Sequence, residues 1–160
     1  NMKVGFVEAE GTTLYGISGE YVANNNFFIG GGYADVDGDY GINTDMLNVN
    51  MGAYFPISSV YVYGGEFYGK VKMSYTDVDT NWYDYSSIGT SASLNFQNPD
   101  MRASLGVAAE FSDVYNGFGY NAYNIEAALG VRFNDAWEAG VTGTTGDVDS
   151  YGVYVRYDFL

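Results

Sequence analysis

Cysteine and histidine are both absent from the 160 residues. Without cysteine there is no disulfide framework and no thiol chemistry. Without histidine the chain lacks the usual acid/base group of neutral pH and the commonest metal ligand. Proline occurs only twice, at Pro56 and Pro99. Basic residues are scarce as well: six Lys and Arg against 20 Asp and Glu leave a net charge of −14. That balance argues against nucleic-acid binding through phosphate contacts. No run of 18 apolar residues occurs, so no transmembrane helix is expected. No signal-peptide pattern opens the sequence, which is accordingly read as a mature form. The length suits one domain, residues 1–160.

What the chain does have is glycine, tyrosine and alternation. Seventeen Tyr and 22 Gly accompany ten segments of period-2 patterning, the mark of strands with one apolar and one polar face. They fall at about 2–9, 12–23, 27–35, 46–55, 60–76, 85–97, 101–113, 122–133, 137–146 and 151–159. The connections alternate in length. Short ones are 24–26, 56–59, 98–100 and 134–136, and both prolines lie in such turns, where no ladder hydrogen bond is lost. Those on the other side are longer, at 36–45, 77–84, 114–121 and 147–150. A tight hairpin at Glu10–Gly11 is the exception.

The two faces differ sharply. One is aliphatic in its middle, with Val49, Met51, Val71, Leu94, Leu105, Val107, Leu129 and Val141, and aromatic at both ends. Tyr21, Phe27, Phe55, Phe96, Phe133 and Trp137 gather towards the short turns; Tyr15, Tyr33, Tyr75, Phe111, Tyr123 and Tyr151 gather towards the long loops. Two aromatic girdles around an aliphatic band suit a slab with two interfaces. All six basic residues lie on the other face, among acids and glycines such as Gly30, Gly52, Gly64, Gly106 and Gly130. A soluble barrel would reverse this arrangement.

The last strand, residues 151–159, sets Tyr151, Val153, Val155, Tyr157 and Phe159 against Gly152, Tyr154, Arg156 and Asp158. It resembles the C-terminal strand of bacterial outer-membrane β-barrels, which alternates in this way and ends on an aromatic residue. Leu160 departs from that pattern and is expected to be an addition to the native chain. The resemblance implies an all-β, closed antiparallel up-and-down transmembrane barrel in the bacterial outer membrane, similar in architecture to small OmpA/OmpX-like or ten-stranded barrels. Even strand counts and a periplasmic start favour ten strands, with eight as the alternative.

Three constellations could carry function. The first is an inward charge network: Lys3, Glu20, Glu66, Lys70, Lys72, Arg102, Glu110, Glu126, Arg132, Glu138, Arg156 and Asp158. The turn at 134–136 sets Arg132 opposite Glu138, with Arg156 and Arg102 on the flanking strands. Barrel closure would bring Lys3 towards Asp158, and the hairpin of strands seven and eight would bring Glu110 near Glu126. Equal numbers of each sign favour a plugged lumen, because buried charges persist only when paired. The second is an acidic crown from three Asp-Val-Asp repeats and a neighbour: Asp35, Asp37, Asp39, Asp77, Asp79, Asp147 and Asp149. Clustered carboxylates are hard-cation ligands, so a divalent cation such as calcium is one reading and a solvated anionic rim the other. The third is catalysis. Omptin proteases, the lipid A palmitoyltransferase and deacylase and the outer-membrane phospholipase all use a histidine, so no such activity carries over and no catalytic residue or cofactor is expected. The leading expectation is a monomeric, non-enzymatic barrel, charge-plugged, meeting membrane lipid and lipopolysaccharide, with acidic and aromatic loops open to a protein partner. The alternative is a narrow channel, or porin, for small solutes or ions.

Overall fold

The computed structural model describes residues 2–9, 12–23, 25–37, 43–81, 84–114 and 118–159. All regular structure among them is strand. In chain order the strands are β1 (Met2–Ala9), β2 (Thr12–Val22), β3 (Phe27–Asp37), β4 (Asn43–Val62), β5 (Gly65–Thr80), β6 (Asp84–Gln97), β7 (Met101–Val114), β8 (Phe118–Arg132), β9 (Trp137–Gly146) and β10 (Ser150–Tyr157). Each pairs antiparallel with its neighbours in sequence, and β1 pairs with β10 to close a ten-stranded barrel. Closure leaves no open sheet edge within the paired span, a condition for crossing a bilayer with strands.

The register fixes the barrel's dimensions. Cross-strand partners can be followed from Glu66 through Gln97, Arg102, Gly130, Gly140 and Tyr154. The path continues through Gly5, Gly16, Ala34 and Met46 and returns to β5 at Val78. The start and return points lie twelve residues apart on one strand. With ordinary strand spacing and rise, that stagger over ten strands gives a tilt of about 40° and a backbone radius of about 10 Å. Such a bore is narrow once side chains project into it.

The outward face is the apolar one. Ile17, Ile29, Val49, Met51, Met73, Leu94, Leu105, Val107, Ile125, Val141 and Val153 are all exposed. Tyr33, Tyr75, Tyr123 and Tyr151 flank them above, and Phe27, Phe55, Phe133 and Trp137 below. A belt of this size is unsuited to water, and it meets the requirement for a lipid-facing surface. At the lower girdle Trp137, Tyr157 and Phe159 form a run of edge-on contacts, with centroids 4.8 and 4.9 Å apart.

Several expectations are corrected. The connections expected to be long are short, because the strands run further: residues 36–37, 43–45, 77–80 and 118–121 belong to β3, β4, β5 and β8. No turn interrupts 56–59. β4 continues to Val62, and the hairpin turns at Tyr63 and Gly64, both with positive φ (53° and 68°). That pair of left-handed residues gives the twist of a two-residue hairpin, and Gly64 thus leaves the inward strand face. Pro56 sits within β4 opposite Tyr68. Tyr54 donates its N–H to Asn26 on the β3 side, so the Pro56 nitrogen points the same way, past the start of β3. No ladder bond is lost there, which is why proline is tolerated.

Candidate functional site: the lumen

The short-turn half of the lumen is packed with charge and aromatic rings. Lys70 Nζ lies 2.7 Å from Glu20 Oε2 and 4.3 Å above the Phe28 ring. Tyr54 donates its hydroxyl to the other Glu20 oxygen and packs between Phe28 and Tyr68, with centroids 5.1 and 5.6 Å away. Gly52 makes this cluster possible, since a Cβ there would stand 2.6 Å from the Phe28 ring.

Glu138 anchors a second group. It is 2 % exposed, accepts a 2.6 Å hydrogen bond from the Tyr154 hydroxyl and lies 3.2 Å from Arg102 Nη1. That last contact is an ion pair without the alignment of a hydrogen bond. Arg102 also reaches Asp158 at 3.1 Å and Gln97 at 3.1 Å, and Arg156 meets Asp158 at 2.7 Å. Gly140 leaves room for Tyr154, whose ring would stand 2.7 Å from a Cβ.

The expected network is therefore assembled in part, with different partners. Arg132 does stand opposite Glu138, yet its guanidinium bonds the Asp135 and Asn98 carbonyls at 3.0 and 3.3 Å. It ties two turns together while Arg102 takes the carboxylate. In the β1–β10 register Lys3 is opposite Arg156, two residues from Asp158. Glu110 is opposite Ala122, and Glu126 opposite Gly106, so the expected carboxylate pair does not form; the longer strands shift that hairpin's register. Glu66 and Glu110 are exposed, Glu66 beside the Tyr63–Gly64 turn.

Above the charged half lies a polar cavity of about 340 Å³. Lys72, Ser91, Ser93, Ser104, Glu126, Thr142 and Thr144 line its walls, and Tyr68, Arg102, Tyr154 and Arg156 close its lower side. Small hydroxyl side chains leave space that long ones would fill, and the wall offers donors and acceptors all round.

The first two acidic repeats prove to be strand rather than loop, and the third lies in the β9–β10 turn. Asp35, Asp37, Asp77 and Asp79 are exposed and continue the outward face beyond Tyr33 and Tyr75, whereas Val36 and Val78 turn inward. The register sets Asp35 opposite Asp45, Asp45 opposite Asp79, and Asp79 opposite Asp84. Tyr33 donates its hydroxyl to Asp45. Asp147 and Asp149 stand apart, shaping the β9–β10 turn through the Tyr123 and Gly146 amides at 2.7 and 3.3 Å. Asp39 lies outside the described residues. Among the described residues no three acidic groups converge as a metal site would require.

No family model matches the chain, and no curated protein matches it. Solved structures do. The NanC porin aligns with a TM-score of 0.61 at 6 % identity, over 99 % of this chain and 98 % of that one. The KdgM porin aligns at 0.55 and 11 % identity, over 99 % of each chain. A structure described as the KdgM porin in complex with disordered oligogalacturonate aligns at 0.58 and 10 % identity, again over 99 % of each. At such identities the likeness speaks for the fold: with its apolar belt, this chain is a membrane-spanning barrel of the outer-membrane type.

Proposed function

We propose that the protein is a non-enzymatic barrel of the bacterial outer membrane that acts as a narrow channel for small hydrophilic solutes or ions. One observation carries the reading: a polar cavity of about 340 Å³ inside a closed barrel, with Lys72 and Glu126 on its wall rather than a solid core. The fold it shares with two porins points the same way. One of those porins is described in complex with oligogalacturonate, so hydrophilic oligomers belong among the solutes to be tried.

The ion pairs around Arg102 and Glu138 favour a second reading, a charge-plugged barrel with a structural or surface role. In either case lipid and lipopolysaccharide are the partners of the belt. Headgroup contacts bridged by divalent cations suit the outward carboxylates.

Planar-bilayer recording on refolded protein separates the two. Small discrete currents from the wild type are expected of the channel. A wild type that stays silent with every solute gradient tried would overturn that reading and leave the plugged barrel.

A further inference from the structure

The polar cavity holds two charges that the ion-pair network leaves over. Of the charged groups on its wall, Lys70, Arg102 and Arg156 each have a carboxylate of their own, in Glu20, Glu138 and Asp158. Lys72 and Glu126 line the same cavity, and neither makes an ion pair among the described residues. Both are half-buried, one on β5 and the other on β8. A charge held away from bulk water without a partner favours a ligand that brings the opposite charge.

The register shows what lies between them. Lys72 is opposite Ser91 on β6, Ser93 is opposite Gly106 on β7, and Gly106 is opposite Glu126. Along that path no side chain is longer than serine. Gly106 leaves no room for one at all, since a Cβ there would stand 2.7 Å from that of Ser93. At the tilt and radius of this barrel the Cα atoms of Lys72 and Glu126 lie about 14 Å apart. Extended into the cavity, the two side chains leave about 8 Å between ammonium and carboxylate. An α-amino acid carries its own two charges about 3 Å apart, so it spans that gap with a hydrogen bond of about 2.8 Å at each end.

We infer that Lys72 and Glu126 form a binding site for a small zwitterion of the α-amino acid class, its carboxylate on Lys72 and its ammonium on Glu126. A lone anion drawn to Lys72 is repelled by Glu126, and a lone cation meets the reverse. The three satisfied pairs add no net charge that would tip this balance. Ser91 and Ser93 offer hydroxyls between the two ends. As the solute of a channel this ligand rests on the reading above; as a bound ligand it does not.

Equilibrium dialysis tests the site on folded protein in detergent micelles, with heat-modifiable gel migration confirming the barrel in every variant. L-Alanine should bind saturably at neutral pH and low salt. Lactate, which lacks the ammonium, and ethylamine, which lacks the carboxylate, should bind about tenfold more weakly or worse. Lys72→Met and Glu126→Gln should each weaken L-alanine binding by a similar factor. Exchanging the charges, with Lys72→Glu and Glu126→Lys together, should recover binding, because a zwitterion can enter reversed; a role in shaping the cavity would not show this. Absence of saturable L-alanine binding to the wild type would overturn the inference. Equal binding of lactate or ethylamine, or indifference to both single variants, would overturn it too. Bilayer recording runs in parallel. Binding without current keeps the site and removes the channel reading, whereas current without L-alanine binding does the opposite, so the two ideas fail separately.

Discussion

Carboxylates occupy two regions of this barrel under opposite rules. Inside the lower lumen, Glu138 is 2 % exposed and has both a guanidinium and a phenol within 3.2 Å. On the outer rim, Asp35, Asp45, Asp79 and Asp84 are exposed, and their cross-strand neighbours are one another. Burial in a narrow bore removes the water that would solvate a charge, so a partner is obligatory there. At the rim, water and mobile counterions screen like charges well enough for the row to persist. Position relative to the wall, rather than residue type, decides what each carboxylate can do.

The comparison breaks most severely at Glu138. Replacement by alanine takes away one of the two carboxylates beside Arg102, leaving Asp158, and removes the Glu138 acceptor of the Tyr154 hydroxyl, at a combined cost of about 3–5 kcal/mol. Urea unfolding in lipid vesicles measures this. Glu138→Gln should cost less, because an amide oxygen can still accept from Tyr154. A loss below about 1 kcal/mol for alanine would mean that lumen water solvates Arg102 as well as the carboxylate does.

Neighbouring residues on β9 sharpen the contrast between the two sides of the wall. Val141 faces lipid and is 54 % exposed, while Thr142 lines the cavity. Val141→Arg should cost about 2–4 kcal/mol near the midplane. Thr142→Arg should cost clearly less in the same assay, since its charge enters a polar space. Equal costs would mean the faces are exchanged, as a one-residue slip would do.

Much of this was legible in the sequence, and the failures have physical causes. Period-2 patterning gave ten strands and both faces, because burial on one side of a pleated strand imposes alternation. The pairing of Arg132 with Glu138 followed from the short turn between them. Their actual partners did not, because a long arginine side chain spans strands and register alone does not say which carboxylate it takes. In sequence Pro56 reads as a turn marker, yet it sits within β4, because a proline whose nitrogen points past the neighbouring strand can sit in a ladder. The third Asp-Val-Asp repeat is a turn, as its sequence suggests; the first two read as running into loops because aspartate is rare in strands, yet they are strand. The alternation of Asp35, Val36 and Asp37 continues that of Tyr33 and Ala34, and following it would have found the inward valines.

The smallest effect concerns the rim, where like charges meet. Asp84 hydrogen-bonds the Asp79 carboxyl, and that bond, with the neighbouring negative charges, holds Asp79 above its ordinary value of 3.8. The folded barrel therefore binds this proton more tightly than the unfolded chain does. The resulting stabilisation is complete below the ordinary carboxylate range and is lost as pH rises through the raised value. Unfolding followed from about pH 4 upward should show a shallow decline attributable to this pair. Asp84→Asn removes the neighbouring negative charge and the shared proton, brings Asp79 back towards its ordinary value and flattens that decline. A matching change at Asp149, which bonds the Gly146 amide away from the row, should leave the decline in place. If both variants flatten it equally, the pH dependence belongs to the rim's total charge and not to the Asp79–Asp84 contact.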